Sequence, residues 1–405
     1  WNPFSNQVTK SPASEVEPDA AVKKRGPSNA PEPNTRYQHI LSTFAAQRKV
    51  DAYSPVDKTA IDRAFSTVAE MPEHRVRQLL ESVLRSPLVK DVAKEISTQL
   101  GRPLHPVDLW FHGFRPKAEI NESALDDVTR KRYPNAAAFA ADMPRILKGV
   151  GFSAERATSI AEKIKVDPAR GAGHAMQAAR RGDFAHLRTR IEKNGMDYKG
   201  YNIAIHELGH NVEQTISLYD VDHTLLAGVP NTAFTEAIAF VFQARDLEVL
   251  GMKTTGIEAN RLRVLNDFWQ TFEIAGVALV EIDLWHWLYA HPKATAAQFR
   301  DATVATAKRV WNEFYAPHLG ARDAVHLAIY SHMVSTPLYL FNYPLGHLIA
   351  FQIEEQIHKA GTLGPEIERM AKMGAVTPDV WMRHAAGDEV SAMPLLRATE
   401  AALRR

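Results

Sequence analysis

The sequence has no cysteine among its 405 residues. That absence excludes disulfides, thiolate metal sites and a cysteine nucleophile, so any metal ion must be held by His, Asp or Glu. It also lacks an excess of either charge. The 48 basic and 47 acidic side chains nearly cancel and are mixed along most of the chain, so no global field draws in nucleic acid or an anionic membrane. Long apolar runs are missing as well: the most hydrophobic regions, near Ile274 to Ala290 and Leu338 to Ile353, are broken by charged or histidine side chains, and none is long enough for a membrane span. The chain does not begin with methionine but with Trp1. It is expected to be soluble and processed or trimmed, with secretion or a periplasmic location after processing left open.

What is present is an apolar content of 45%, enough to bury a substantial core in one helical unit or in two lobes. Residues 1–35 are rich in Pro, Ser, Asn and charge, without apolar periodicity, and read as an extended or disordered tail. Residues 36–165 read as a helical N-terminal lobe segment. Ser54-Pro55, Met71-Pro72 and Ser86-Pro87 each look like a cap with a first-turn proline, and Gly101 looks like a helix stop. Leucines and charges recur at three- and four-residue spacing in LLESVLRSPLVKDVAKEI, as helices with one buried face require. Strand signals are scarce: GHAMQA (173–178) and FAHLRTRI (184–191), joined by the turn-like ARRGD, predict a small hairpin. From there to residue 405 the chain reads as helices, including Tyr198 to Leu218, Thr235 to Val249, Gly256 to Tyr289 and Leu345 to Lys359. The fold class is mainly α, with 166–405 carrying the chemistry.

The chemistry begins at HELGH. Residues four apart share one helix face, so His206 and His210 can point at one ion while Glu207 projects beside them. Chance alone places an HExxH in about one chain of this length in twenty-five, so its context has to support it. The flanks, YNIAI and NVEQTISL, are apolar at helical spacing, and Gly209 permits close approach of a neighbour. A catalytic zinc commonly takes three protein ligands and keeps a fourth position open. A metzincin arrangement is excluded because Glu213 and Ile216 stand where glycine and histidine would be needed. Asp220, Asp222 and His223 qualify by type, but in a turn-like stretch. Glu236, within AFTEAIAF, is the better third ligand, since a carboxylate among apolar neighbours needs a partner.

The segments around this motif resemble the angiotensin-converting enzyme family of helical zinc peptidases. The resemblance runs in consistent order over residues 170–405 through GHAMQAARRGDF, HELGH, GVPNTAFTEAI, DLWHW, SHMVSTPLYLFNYPLGHLIAFQIEEQ and MGAVTPDVWMRHAAGDEVSAMPLLR. Helical oligopeptidases share the zinc motif and the late tyrosines. The resemblance implies a two-lobed gluzincin with a deep cleft and the hairpin at its edge, one Zn2+ per chain held by His206, His210 and Glu236, and Glu207 as general base. It implies Tyr343 as donor to the tetrahedral oxyanion, with His332 and His174 holding the substrate backbone, Ala175 on the peptide-pairing strand, and Tyr339 on the substrate carboxylate.

The sequence departs from that family at several positions. Tyr330 stands where the family has a lysine for the substrate carboxylate, and no glutamine partner can be placed in GRPLHPVDLWFHGF. Leu340, Phe341 and Asn342 replace the chloride-binding arginine, with one extra residue between Tyr339 and Tyr343, so chloride activation is not expected. Phe240 replaces the aspartate that orients a zinc histidine, leaving Asp108, Asp222 or a backbone carbonyl for that task. The expected activity is hydrolysis of short peptides, as a peptidyl-dipeptidase or an oligopeptidase. The alternative is a peptide- or metal-binding pseudo-peptidase, against which retention of Glu207 and Tyr343 argues.

Overall fold

The computed structural model describes residues 34–114, 122–169, 173–252 and 257–404. It is mainly helical, with one small sheet. The tail expected over residues 1–35 lies, apart from Asn34 and Thr35, outside the described residues. Contacts divide the chain into two compact units: residues up to 113 with 268–344, and 114–267 with 345 onward. Each unit therefore draws on two separate stretches of chain. No helix among the described residues is long and apolar enough to cross a membrane.

The helices include Glu73–Leu84 (α1), Leu88–Leu100 (α2), Tyr198–Asp220 (α3), Thr232–Gln243 (α4), Ile257–Ala290 (α5) and Asn342–Ala360 (α6). In the first unit, α1 buries Val76, Leu80, Val83 and Leu84, the one-face spacing read from the sequence. Pro72 sits at its N-cap and Pro87 at that of α2, and Gly101, at φ 65°, ends α2 in the left-handed conformation that favours glycine. Ser54-Pro55 does not start a helix. The next helical turn begins at Ala60, where Thr59 Oγ1 accepts from the Asp62 N–H and Asp62 returns the bond, both at 3.0 Å. That reciprocal capping box outcompetes a lone serine-proline pair.

In the second unit the predicted hairpin forms, with His174–Met176 (β2) antiparallel to Ala185–Arg190 (β3) and His174 opposite Arg188. A further strand, Ile164–Ala169 (β1), pairs parallel with the other side of β3. The sequence analysis predicts no strand there, and Pro168 interrupts the segment. On a sheet edge, where one side needs no ladder donor, proline is tolerated. Ala185, Leu187 and Thr189 of β3 are buried in alternation, and Thr189 Oγ1 donates to the Gly200 carbonyl at 2.7 Å, fastening the sheet to the start of α3. Asp197 caps α3 by accepting from the Gly200 N–H at 2.7 Å, and Asn231 caps α4 by accepting from the Ala233 N–H at 2.9 Å.

The crossing of α3 and α4 requires Gly209. A Cβ there would lie 2.8 Å from Ala239 Cα, too close for two packed backbones. Gly209→Ala is expected to cost about 1–3 kcal/mol through overpacking. Urea unfolding checks this, and an unchanged midpoint would show that the crossing has slack.

Candidate active site

His206 and His210 stand one turn apart on α3, with ring centroids 4.9 Å apart at 86°. Glu236 reaches them from α4: its Oε2 lies 3.4 Å from His206 Nε2 and 3.8 Å from His210 Nε2. One ligand atom from each of the three residues falls within 4.8 Å of the others. Asp220, Asp222 and His223 are not brought there. Asp220 pairs with Arg156 and Lys372, while Asp222 and His223 are exposed. On a third side Gly346 of α6 comes so near that a Cβ would touch Glu236 Cβ at 3.1 Å.

Each imidazole is held through its Nδ1. His206 Nδ1 lies 3.1 Å from Gln243 Oε1, and His210 Nδ1 lies 2.8 Å from Thr235 Oγ1. A carboxamide oxygen only accepts, so His206 Nδ1 carries a proton and Nε2 is the nitrogen that faces inward. Burial pulls the His206 imidazole down, but the Glu236 carboxylate, together with Glu207 and the Gln243 bond, outweighs it and sets the group above its ordinary value. Burial holds His210 down to about 4. Two inward imidazole nitrogens and one buried carboxylate oxygen make a donor set that suits Zn2+ and leaves a fourth position open. The residues present therefore fit the metal.

For His206 the orienting acceptor is not one the sequence offered, whereas His210 also bonds the Thr235 backbone, the kind of partner that was left open. Asp108 is taken by Arg102, at 2.7 and 2.8 Å, and by the His105 N–H. Phe240 instead stacks face to face on His347, centroids 4.1 Å apart at 4°, and packs 5.3 Å from the His206 ring. Gln243, one heptad after Glu236 on the same face of α4, and Thr235 beside Glu236 were missed. Their spacing was the only available signal, and neutral side chains do not stand out as partners of a metal histidine. Glu213, one turn beyond His210, was likewise read only as a departure from another motif. It is fully buried and bonded by Thr235, and burial pushes its carboxyl up to about 8.

Glu207 is only 7% exposed, and burial pushes its carboxyl up to about 7, although the facing His206 and the Ala175 N–H pull it down. A carboxyl near neutrality can both take and give a proton at neutral pH. Ala175 lies on the edge strand β2, so its backbone bond to Glu207 ties the sheet edge to the motif helix. Gly173 makes this approach possible, since a Cβ there would lie 2.8 Å from Glu207 Oε1 and 2.4 Å from Ile203. His174, next along β2, is exposed.

No protein-family model matches the sequence, and no curated protein does. Solved structures do. The chain is similar to PZ peptidase A, solved with an inhibitor, at 11% identity and a TM-score of 0.63, over 91% of this chain and 65% of that one. It is similar to Trypanosoma cruzi metallocarboxypeptidase 1 at 15% identity and a TM-score of 0.56, over 91% and 77%. A Pyrococcus furiosus carboxypeptidase matches at 14% identity and a TM-score of 0.51, over 90% and 73%. The fold is one shared with helical peptidases. The chain spans about two thirds of the length of PZ peptidase A.

Within the first unit the structure brings together His332, Tyr339 and Tyr343. Tyr343 Oη lies 3.3 Å from His332 Nε2, the Tyr339 ring stacks on His332 at 5.6 Å, and the two tyrosine rings meet at 67°. The loop carrying them is clamped by Glu281 of α5, whose carboxylate accepts from the Leu338 N–H at 3.0 Å and the Leu340 N–H at 2.9 Å, with Tyr339 adding a third donor. Leu338 takes a φ of 55°, which an L side chain adopts only where its surroundings over-determine it. Tyr330 donates to Glu273 at 2.6 Å and accepts from Trp110 at 3.0 Å, so its hydroxyl is already engaged.

Burial pushes the Glu281 carboxyl up to about 8, against the pull of its three backbone donors. A carboxyl whose folded-state pKa is raised keeps its stabilising contribution below the unfolded value of 4.5 and loses it as pH rises through about 8. The unfolding free energy is therefore expected to fall between about pH 5 and pH 8.5 by more in the wild type than in Glu281→Gln, which cannot ionise. Equal slopes in urea titrations of the two proteins would contradict this.

Proposed function

We propose that this protein is a zinc-dependent peptidase of the gluzincin type, acting on extended peptides as an oligopeptidase or peptidyl-dipeptidase related to the angiotensin-converting enzyme-like group. One observation carries the reading: two inward-facing histidine nitrogens and a Glu236 oxygen converge within 4.8 Å beside a buried carboxyl poised near neutrality. His206, His210 and Glu236 would hold the ion. When bound, zinc acts as a Lewis acid that polarises the scissile carbonyl and lowers the pKa of water. Glu207 takes the proton of the attacking water on its carboxylate and passes it to the leaving amine nitrogen. Tyr343 serves as oxyanion donor, a phenol remaining protonated at neutral pH. His332 and Tyr339 bind substrate beside it, and His174 and Ala175 pair with the extended peptide along the β2 edge.

The register of cleavage leans toward oligopeptidase. Strict release of C-terminal dipeptides needs a cation for the free carboxylate, and at the corresponding position Tyr330 is committed to Glu273 and Trp110. The test is to incubate the zinc-loaded protein with blocked and free peptides and identify products by mass spectrometry. Internal cuts in blocked peptides establish an oligopeptidase, and dipeptides released only from free C-termini establish the alternative register. Bound zinc without products would overturn the proposal in favour of a binding module.

A further inference from the structure

His206 is the end of a chain of hydrogen bonds that starts at a buried carboxylate. Asp246, 7% exposed, accepts from Tyr198 Oη at 2.6 Å, from the Leu247 N–H at 2.6 Å and from Asn202 Nδ2 at 2.7 Å. Asn202 Oδ1 in turn accepts from Gln243 Nε2 at 2.7 Å, and Gln243 Oε1 faces His206 Nδ1 at 3.1 Å. The polarity of this chain is not free. A carboxylate only accepts, so it fixes the Asn202 amide group toward itself; the Asn202 oxygen then fixes the Gln243 amide, and the Gln243 oxygen fixes the imidazole proton on Nδ1. Each step follows from the one before. The consequence at the far end is a lone pair on Nε2, turned toward His210 and Glu236.

We infer that Asp246, acting through Asn202 and Gln243, is a positioning residue that selects the metal-binding tautomer of His206. This rests on the metal reading above and deepens it. The chain occupies the role left vacant by Phe240, whose ring has no acceptor. It reaches His206 from the last turn of α4 and the residue chain just beyond it, which is why no carboxylate adjacent to the histidine marks it in the sequence. Asn202 sits one turn before His206 on α3, so the two helices and the start of the following segment are joined by a single directed path. Removing such outer partners of a metal histidine typically weakens metal binding about 10–100-fold.

The test measures zinc affinity of the full chain by competition with a chelating dye, with circular dichroism as a check of folding. Asp246→Asn keeps size and hydrogen bonding but allows every amide in the chain to reverse, and zinc affinity is expected to fall about 10-fold, at the low end for outer partners. Gln243→Leu should lower it at least as far. Adding Gln243→Glu to Asp246→Asn places an obligate acceptor directly on Nδ1, which holds the tautomer whichever way Asn202 turns, and should restore the affinity. A purely structural role for Asp246 would not be rescued in this way. Asp246→Asn with wild-type affinity, or a double variant no tighter than Asp246→Asn, overturns the relay alone. A wild type that takes up no zinc overturns the metal reading together with the relay built on it.

Discussion

Glu207→Gln is expected to keep its zinc and lose its turnover by about 10²–10⁴-fold, the range that a positioned general base contributes. The substitution preserves volume in a site that is 7% exposed, and the amide oxygen can still accept from the Ala175 N–H that bonds the carboxylate. What the amide cannot do is take a proton. Because Glu207 is not one of the three converging ligand residues, metal content should stay at the wild-type level. The check is kcat on a blocked peptide with zinc quantified in the same sample. Full turnover in the variant would remove Glu207 from the chemistry, and loss of zinc would show that it belongs to the ligand set.

Glu236→Ala is expected to have the opposite signature, losing the metal first and activity as a result. Among the described residues its carboxylate is the one that faces both imidazoles, at 3.4 and 3.8 Å, and without it two imidazole nitrogens remain to hold a dication. The loss of zinc affinity should exceed the about 10–100-fold typical of removing an outer partner. A ligand that binds only the folded state stabilises it by about 2.7 kcal/mol at one hundred times its dissociation constant. Thermal unfolding with and without zinc therefore reads the effect: the wild type should shift upward and the variant should not. An undiminished shift in Glu236→Ala would place the metal elsewhere.

The HELGH spacing made the site legible because helix geometry alone puts residues four apart on one face, and the structure sets His206 and His210 there. Glu236 was legible for a different reason, as a carboxylate embedded in apolar sequence. The hairpin could be read from its alternation and turn, and Gly209 was marked as a close approach that the helix crossing indeed uses. Other features do not leave a local pattern. β1 contains Pro168, and its edge position is known only once β3 is placed beside it. Gln243, Thr235, Asn202 and Asp246 are ordinary polar residues whose importance comes from meeting across α3 and α4. The clamp of Glu281 on the Leu338–Leu340 backbone joins residues more than fifty positions apart. A linear pattern also does not show that residues before 114 pack with 268–344.

In the proposed reading Tyr330 stands where the resembled family carries a cationic carboxylate anchor; its hydroxyl is bonded to Glu273 and Trp110, so it would supply no charge to a substrate terminus. Under the proposed function, a peptidase without that anchor would not require a free C-terminus, and the β2 edge, with His174 exposed on it, would recognise backbone instead of ends.

Metal dependence of turnover tests the central claim most directly. The protein would be stripped with a chelator, zinc returned in measured steps, and hydrolysis of a blocked peptide followed by mass spectrometry at each step. Activity should vanish on stripping and return in full at one zinc per chain. Hydrolysis that survives complete removal of metal, or a stripped protein that regains one zinc and still cleaves nothing, would contradict the account.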